Sequence, residues 1–532
     1  MPIDESDVGT VDSRVAYDGL GSVAYDRAGM IARLQKLELP CTVIRNGHGL
    51  GVSNESIPMA AAGRVEVVAT VPPLPAGRLG DPAFRTTYGL ALAYVAGSMA
   101  NGIASEAMVI ALGKAGLLGC FGAGGLVPQR LEEAIRRIQS ELPHGPYAFN
   151  LIHAPNEPAL ERAAVELYLR HGVATVEASA YLSLTPYVVR YRAAGLRRNA
   201  QGSIVIGNRI LAKVSRREVA TLFMQPAPAT ILRSLVAEGL ISEEQAALAE
   251  KVPVADDVTV EADSGGHTDN RPLVCLVPSM RDLRDEIQAK HQYAVPVRVG
   301  AAGGIGTPAA VLAALAMGAA YVVTGSINHA CVEAGTSEHV KTLLAQAGMT
   351  DVAMAPAADM FEMGVNLQVL KRGTLFPMRS KKLYQVYQTY ESIDAIPADE
   401  RHKLEQQIFQ RPLADVWSDC IEFFNRRDPD QIVRARDNPK RQMALCFRWY
   451  LGLATRWAIT GQPGREMDYQ IWCGPAMGAF NDWARGTAFE SPQNRHVAEV
   501  GRRLMEEAAV LYRLQALRLQ GADIPIDSLS AA

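Results

Sequence analysis

The clearest indication of the fold is the stretch VRVGAAGGIGTPAAVLAALAMGAAYVVTGS, residues 297–326. It predicts a buried strand, a glycine turn, an alanine-rich helix and a second buried strand that ends in Thr-Gly-Ser. Both strands are apolar on both faces, which is typical of parallel strands covered by helices. The stretch therefore predicts one strand–helix–strand unit of an α/β fold.

The same pattern of buried strand and helix recurs in the sequence before residue 297. Eight apolar runs, each ending in small or polar residues, start 24 to 49 residues apart: YVAGSMA (94–100), LGCFGAG (118–124), YAFNLIH (147–153), VATVEAS (173–179), RILAKVS (209–215), VTVEADS (258–264), VRVGAAGG (297–304) and YVVTGS (321–326). Eight strand–helix units predict a (β/α)8 TIM barrel over residues 85–350. A doubly wound open sheet is the alternative, and the count of eight disfavours it.

The remaining chain flanks or interrupts this barrel. Residues 1–84 predict a small N-terminal segment with short strands, because runs such as CTVI are broken by turn residues. Residues 216–256 predict several short helices split by Pro226 and Pro228, inserted after strand five as a cap over the barrel mouth. Residues 351–532 predict a helical C-terminal region.

Composition excludes several classes of protein. The chain has 532 residues, 48% of them hydrophobic, with a net charge of −3, which is globular and disfavours nucleic-acid binding. The N-terminus lacks an apolar signal-peptide core, and the longest apolar stretch, residues 309–323, is short of a membrane span. Seven scattered cysteines with no CxxC or metal-site spacing predict a cytoplasmic protein without disulfides, metal or iron–sulfur cluster.

The glycine turn after strand seven predicts a phosphate site. Gly303, Gly304 and Gly306 lack Cβ atoms, so main-chain N–H groups can approach an anion closely. Thr307 is placed to cap the following helix, with Pro308 at its first position. The loop Thr324-Gly325-Ser326 follows strand eight, and loops seven and eight form the usual phosphate grip of such barrels. A tight turn with a helix cap and no ligand is the alternative.

A polar cluster follows strand six, in VEADSGGHTDNRP, residues 260–272. Buried unpaired charges are costly, so this concentration at a strand end predicts a site rather than packing. His267 titrates near neutral pH and suits proton donation. Glu261 and Asp269 are the two candidates to orient it. A structural histidine is the alternative interpretation.

Further candidate cofactor-binding residues lie at the ends of strands one, three, four and five. Gly97 and Met99 follow strand one, where main-chain groups could wrap a flat cofactor. Asn150, Glu177 and Lys213 end three neighbouring strands and are expected to face one pocket. An amide and a cation there can hydrogen-bond a flavin edge and stabilise its reduced form. Capping or surface roles are the alternative for each residue, and the aromatic Trp472, Phe480 and Trp483 are interpreted as packing.

Taken together, these motifs resemble a known family. The stretches that carry the resemblance are YVAGSMANGIAS, FNLIHAPNEPALE, VEASAYLSLT, AKVSRREVA, VEADSGGHTDNRP, RVGAAGGIGTP, TGSINHACVEAGTSEHV, APAADMFEMGVNLQVLKRGTLFP, FRWYLG and YQIWCGPAMGAFNDW. They are similar to the PfaD-type enoyl reductases, trans-acting partners of polyunsaturated-fatty-acid and polyketide synthases, over about residues 15–515. The barrel is also similar to nitronate monooxygenases and FabK-type flavin reductases.

The resemblance implies a bound FMN, NADPH or NADH as electron donor, and reduction of the 2,3-double bond of an enoyl thioester on an acyl carrier protein. It implies His267 as a catalytic residue, Lys213 as a candidate stabiliser of the enolate, and a homodimer as a plausible assembly. The FMN shell it implies contains Gly97, Met99, Asn150, Lys213, Ser264, Gly265, Gly303, Gly304, Gly325 and Ser326. Glu177, Asp263, Gly266 and Thr324 complete the predicted cofactor-binding set.

Two rival functions stay open at this point. A nitronate monooxygenase would use a histidine as base and pass electrons to O2, but the long C-terminal region has no evident use there. A non-catalytic assembly subunit would keep the barrel as a scaffold, but the intact EADSGGH and AGGIGTP motifs argue against lost activity.

Overall fold

The computed structural model describes residues 16–17, 21–55, 65–153, 155 and 157–526. Eight parallel strands close into a barrel, in agreement with the predicted count. In chain order they are Tyr94–Ala96, Leu118–Phe121, Ala148–Ile152, Thr175–Ser179, Arg209–Val214, Asp257–Glu261, Arg298–Ala302 and Val322–Thr324. We call them barrel strands one to eight. The fold prediction is confirmed.

Each barrel strand pairs with the strand before and after it, and strand eight closes on strand one through Val322 opposite Tyr94. The strands are almost wholly buried because side chains fill the interior and helices cover the outside. Most covering helices lie directly between strands: Glu106–Lys114, Pro128–Glu141, Pro158–Arg170, Pro186–Ala194, Arg217–Met224, Leu273–His291 and Pro308–Ala316. The Thr307 hydroxyl caps Pro308–Ala316 by accepting from Ala310 N at 3.2 Å, as predicted.

The eighth outer helix comes from the far end of the chain. The helix that directly follows strand eight, Ser326–His329, has four residues. The helix Val497–Leu519 packs against Pro308–Ala316 and Glu106–Lys114, the two outer helices on either side of the eighth position. Gly501 on this helix lies against the Tyr94 ring, where a Cβ would come within 2.6 Å of a ring carbon. The C-terminal region is therefore part of the barrel wall.

The N-terminal segment contains the predicted short strands. Cys41–Asn46, Gly49–Ser53 and Glu66–Val71 form an antiparallel sheet, beside helices Arg27–Leu34 and Pro82–Tyr88, the turn Ala76–Arg78 and the strand pair Ala16–Tyr17 and Gly21–Ser22. Arg513 joins this segment to the C-terminal helix, since its buried guanidinium donates to four main-chain carbonyls between Leu34 and Leu39. Residues 1–15, 18–20 and 56–64 of the predicted segment lie outside the described residues.

The insertion after strand five is helical, as predicted, but it does not cap the barrel mouth. Beyond Arg217–Met224 it forms Ala229–Ala237 and Glu243–Ala249, which pack on the outer helix Pro186–Ala194. Gln245 Nε2 donates to Ala194 O at 3.1 Å, and the second of these helices contacts the hairpin Leu196–Arg198 and Ile204–Ile206, which precedes strand five. The insertion therefore thickens the outer layer near the end of the barrel where strands begin.

The C-terminal region is mostly helical but opens with two strands that the sequence analysis did not predict. Val352–Pro356 and Asn366–Leu370 pair antiparallel, and the second also pairs with Gly266–His267. Helix Glu338–Ala345 precedes this region, whose remaining elements are Phe361–Met363, Phe376–Thr389, Ala398–Leu404, Glu405–Phe409, Leu413–Arg427, Asp430–Ala435, Pro439–Thr460, Glu466–Asp468, Ala476–Ala484, Ala488–Glu490 and Pro492–Asn494. Among the described residues, no helix combines the length and apolarity needed to cross a membrane.

Candidate functional site

Lys213 lies between two carboxylates at the carboxyl ends of strands four to six. Its Nζ is 3.7 Å from Glu177 Oε2 and 3.7 Å from Glu261 Oε1. These strands are neighbours in the barrel, so residues far apart in sequence meet on one rim. The Glu177 side chain is 2% exposed and that of Lys213 is 14% exposed, so their charges interact through a weakly screened environment.

Lys213, Glu177 and Glu261 are close enough for their charges to change the pKa values of Lys213 and Glu261. Burial lowers the pKa of Lys213, but the charges of Glu177 and Glu261 outweigh burial and raise it above its ordinary value. Burial raises the pKa of Glu261, Lys213 lowers it in part, and Glu177 raises it further, so the net direction is upward. Lys213 is consequently a permanent cation at neutral pH and a poor proton donor.

Asn150 and Ser98 hold Glu177 and its strand in place. Asn150 Nδ2 donates to Glu177 O at 3.1 Å and to Ser179 Oγ at 2.8 Å. The Ser98 main-chain N–H donates to Glu177 Oε2 at 3.1 Å, and its hydroxyl donates to the same oxygen. Gly97 lies beside them, where a Cβ would be 3.4 Å from Glu177 Oε1. Gly97, Asn150, Glu177 and Lys213, from strands one, three, four and five, therefore form one connected cluster.

The loops after strands seven and eight form an open cradle of main-chain donors. Gly303 and Gly304 have φ of +85° and +70°, which favour glycine. A Cβ at Gly304 or Gly325 would meet nothing within 4 Å, whereas one at Gly303 would meet Ala262 main chain at 2.6 Å. Within the described part of the chain, the N–H groups of Gly304, Gly325 and Ser326 have no acceptor. Unpaired donors around an open space suit an anion.

The segment after strand six is held by the C-terminal strand Asn366–Leu370. Gln368 Nε2 donates to Asp263 Oδ1 and to Ser264 O, both at 2.8 Å. Asn270 Nδ2 donates to the same Asp263 oxygen at 2.9 Å. Ser264 Oγ lies 3.5 Å from Glu261 Oε1, which links the segment to the Lys213 cluster. Asp263 thus serves to shape this loop, and its Oδ1 is saturated by donors.

Gly265 permits a close approach to the C-terminal region. A Cβ at Gly265 would lie 2.8 Å from Cys473 N, and one at Gly474 would lie 2.7 Å from Gly265 N. Such distances are too short for real side-chain contacts, so both positions require glycine. Gly266 has φ of +82° and faces open space, at the start of its pairing with Gln368.

His267 is oriented by Asp359, which is neither of the two residues predicted for this role, Glu261 and Asp269. His267 Nε2 lies 3.2 Å from Asp359 Oδ1, and the histidine backbone pairs with Leu367 in the three-stranded sheet. Asp269 instead binds Arg216 at 3.0 and 3.1 Å and Ser215 Oγ at 2.6 Å. The expectation that Asp269 orients His267 is therefore wrong, because Arg216 takes both of its oxygens.

The Asp359 contact also changes the acidity of His267. Burial lowers the pKa of His267, but the hydrogen bond to Asp359, its charge and the charge of Glu261 outweigh this and raise it above its ordinary value. Lys213 opposes the shift and is the smallest contribution. A raised pKa increases the protonated fraction at neutral pH, as a general acid requires.

Thr324 and Met99, both predicted to bind the cofactor, have polar atoms that already bond to other protein groups. The Thr324 hydroxyl is buried 2.6 Å from Tyr94 OH and also bonds Asn328, so it faces the barrel wall. Met99 O accepts from Ala104 N, and Gly122 packs directly on it, since a Cβ there would clash with the same oxygen. Any contact of Thr324 or Met99 with a ligand would involve their remaining main-chain or side-chain atoms.

Comparison with known proteins agrees with this architecture. Residues 89–403 match the family model for nitronate monooxygenase, and residues 19–73 match that for the fatty acid synthase subunit PfaD N-terminal domain. The solved enoyl reductase domain of MlnA, from the macrolactin biosynthesis cluster of Bacillus amyloliquefaciens, is 41% identical with a TM-score of 0.79. The match covers 83% of this chain and 100% of that one. The chain belongs to the PfaD-type enoyl reductases.

The curated relatives of this PfaD-type chain include proteins of fatty acid and polyketide synthesis. A polyunsaturated fatty acid synthase subunit of Thraustochytrium sp. is 51% identical over 465 residues, which is 86% of this chain and 31% of the relative. The polyketide biosynthesis protein PksE of Bacillus subtilis is 48% identical over 442 residues, 82% of this chain and 57% of the relative. The chain thus spans about a third to just over half the length of these relatives.

One match has no counterpart in the sequence analysis. Residues 390–469 match the family model for the inserted helical domain of [acyl-carrier-protein] S-malonyltransferase. In this PfaD-type chain they contain the helices Leu413–Arg427 and Pro439–Thr460, whose facing residues form a separate apolar core. Arg427 joins this helical unit to the barrel by binding Glu157, in the loop after strand three, at 2.7 and 2.9 Å.

Asp359, Gln368 and Gly474 are site residues that the sequence analysis missed. All three lie in the C-terminal region, 92 or more residues from the barrel groups they contact. Two of them lie in motifs that could have indicated a site. The acidic Asp359 in APAADMFEMG and the small residues around Gly474 in YQIWCGPAMG have no evident packing role. Their spatial partners could not be read from spacing alone.

Proposed function

We propose that this enzyme reduces the 2,3-double bond of enoyl thioesters carried by an acyl carrier protein, with FMN as resident cofactor and NADPH or NADH as electron donor. The observation that carries the proposal is the arrangement of three groups on one barrel rim. An open anion cradle, a buried cation and an Asp-oriented histidine lie at the ends of adjacent strands. The relatives from fatty acid and polyketide synthesis support the substrate class.

FMN fits the residues present. Its phosphate would be held by the unpaired N–H groups of Gly304, Gly325 and Ser326, with Gly303 keeping the loop close. Its ring would be bounded by the cluster of Gly97, Asn150, Glu177 and Lys213 and by the segment from Asp263 to Gly266. Bound there, FMN supplies the hydride transfer between nicotinamide and the enoyl carbon.

Lys213 supplies positive charge to this pocket. Its raised pKa keeps the ammonium group charged, and Glu177 and Glu261 fix its position from two sides. A fixed cation favours whatever negative charge develops on the ring or on the thioester oxygen. Because the ammonium group is already held by protein groups, little reorganisation is needed when that charge forms.

His267 holds the proton for the α-carbon. With Nε2–H donating to Asp359, Nδ1 is the imidazole atom that carries the transferable proton. After transfer, the neutral imidazole keeps its hydrogen bond to Asp359, so its orientation is unchanged between turnovers. The side chain is 37% exposed, which leaves it open for reprotonation from solvent.

The proposed reaction is tested by the visible spectrum of the purified protein under anaerobic conditions. NADPH is expected to bleach the flavin bands, and a crotonyl thioester on a carrier protein is expected to restore them with formation of the butyryl product. Restoration by a nitronate and O2, without enoyl turnover, would instead favour a nitronate monooxygenase. A colourless protein that takes up no FMN would favour an assembly subunit.

Replacing Asp359 by asparagine is expected to shift the pH dependence of enoyl reduction. The hydrogen bond and charge of Asp359 raise the pKa of His267, so their loss lowers that pKa. A reaction that needs protonated His267 is fully supported below its pKa and lost as pH rises through it. The variant should therefore lose activity at lower pH than the wild type.

The pH profile of kcat/KM and the titration of the His267 imidazole by NMR measure this shift independently. Asp269→Asn is the matched control, because Asp269 binds Arg216 and Ser215 rather than His267. Identical profiles for the Asp359 variant and the wild type would show that Asp359 does not set the acidity of His267.

A further inference from the structure

The segment Trp472–Ala476, which we call the strap, crosses the same rim loops that form the anion cradle. Gly474 N donates to Ser326 Oγ at 2.9 Å. The strap also pairs with the C-terminal strand, since Trp472 lies opposite Val369. It therefore lies between the loop after strand eight and the sheet that holds His267.

The main chain of the strap contacts the loops after strands six, seven and eight. Beyond the Gly265–Gly474 contact after strand six, Gly306 in the loop after strand seven lies against Ala476, where a Cβ would clash with the carbonyl oxygen. After strand eight, His329 Nδ1 is 3.2 Å from Trp472 O. Loops six, seven and eight are thus all fixed by one short segment of the C-terminal region.

The His329 contact persists across the working pH range. Burial lowers the pKa of His329 to about 4, so its imidazole is neutral near pH 7. Because a carbonyl accepts, the Nδ1 nitrogen that faces Trp472 O carries the hydrogen of the neutral ring. The strap is therefore tied to loop eight by a neutral hydrogen bond that does not depend on titration.

The Gly474 contact decides which way the Ser326 hydroxyl points. Ser326 Oγ receives the Gly474 N–H, which occupies one of its lone pairs. Among the described residues the hydroxyl has no acceptor of its own. Its hydrogen is thus directed away from the strap, in the same loop as the unpaired N–H groups of Gly325 and Ser326.

We propose that the strap completes the phosphate site, with Gly474 acting as a positioning residue that aims the Ser326 hydroxyl at a phosphate monoester. The inference rests on the proposed function, in which that monoester is the phosphate of FMN. It extends that function by making cofactor affinity depend on a residue outside the barrel. Hydrogen bonds to a charged phosphate are stronger than neutral ones, so a misdirected donor has a measurable effect.

Affinities for FMN and riboflavin, measured by quenching of flavin fluorescence, test the proposal. Gly474→Ala forces the strap away from Gly265 and is expected to weaken FMN binding about tenfold or more, because a charge-assisted hydrogen bond is lost. Riboflavin lacks the phosphate and reports only the displacement of Gly265, so its affinity should fall less than that of FMN. Ser326→Ala leaves Gly265 in place and should weaken binding of FMN alone.

Gly452→Ala is the matched control. Gly452 lies in the helix Pro439–Thr460, where a Cβ meets nothing within 4 Å, so FMN affinity should equal that of the wild type. Equal FMN affinity for Gly474→Ala, Ser326→Ala and the wild type would overturn the role of the strap. Absence of flavin binding by the wild type would instead refute the proposed function.

Hydrogen–deuterium exchange on the unmodified protein gives a second test that needs no variant. FMN is expected to slow exchange of the amides at 471–477, whereas riboflavin should not, since only FMN engages the phosphate site. The N-terminal strand Cys41–Asn46 should exchange equally in all samples. Equal exchange rates of the amides at 471–477 with and without bound FMN would contradict the proposal.

Discussion

Replacing Lys213 by methionine is expected to lower the free energy of unfolding by about 3–5 kcal/mol, the usual cost of leaving a buried charge without its partner. The cation lies 3.7 Å from each of two carboxylates, and the Glu177 side chain is 2% exposed. Methionine fills a similar volume but supplies no charge, so the effect reports electrostatics rather than a cavity. Chemical denaturation at pH 7 measures it.

The loss should also depend on pH in a defined direction. Lys213 lowers the pKa of Glu261, so its removal raises that pKa further above the value in the unfolded chain. A carboxyl group whose folded pKa is raised is neutral in both states at low pH and is penalised as pH rises. The free energy of unfolding of the variant should therefore approach that of the wild type at acid pH. Above the pKa of an unfolded glutamate, about 4.3, the variant should be less stable than the wild type.

Two controls make this prediction specific. Lys114 forms an exposed pair with Glu141 at 2.7 Å, so Lys114→Met should change stability by less than about 1 kcal/mol. Adding Glu261→Gln to the Lys213 variant removes one of the unpaired carboxylates and should recover part of the loss. Equal stability of the Lys213 and Lys114 variants would show that the cluster is not electrostatically coupled.

The barrel and the position of its rim could be predicted because both follow from local periodicity. Each strand is a short apolar run, and Asn150, Glu177 and Lys213 are polar residues at or beyond the middle of their runs. Closing eight such units brings the strand ends together whatever the detailed packing. The contact between Lys213, Glu177 and Glu261 is therefore a consequence of the repeat.

Partners from the C-terminal region could not be predicted in this way. Asp359 reaches His267 because a strand at Asn366–Leu370 pairs with Gly266–His267, and nothing in the spacing of 92 residues specifies that register. The same holds for the helix Val497–Leu519, which takes the eighth outer position. These placements depend on which apolar faces meet, which only the folded chain determines.

The insertion after strand five shows the limit of local signals. Pro226 and Pro228 correctly predict where one helix ends and the next begins. They carry no information on which side of the barrel the helices pack. The buried faces of Leu232 and Leu248 settle that choice by joining the outer layer.

Replacing His267 by alanine is expected to slow enoyl reduction by about 10²–10⁴-fold, the usual contribution of a positioned general acid. Reduction of FMN by NADPH should be unaffected, because that step needs no proton at the α-carbon. Anaerobic rapid mixing separates the two: bleaching by NADPH reports the first step, and recovery with crotonyl thioester reports the second. His496→Ala is the control, since its exposed imidazole contacts only Glu333, at 3.2 Å, among the contacts described.

His267 rather than Lys213 is the expected donor because their acidities differ. Glu177 and Glu261 raise the pKa of Lys213, which makes its ammonium group a weak acid at neutral pH. The pKa of His267 is also raised, but from an ordinary value of about 6.5, so its imidazolium is a stronger acid than the ammonium group of Lys213. Unchanged turnover of the alanine variant would remove His267 from the reaction and leave solvent water on the rim as the donor.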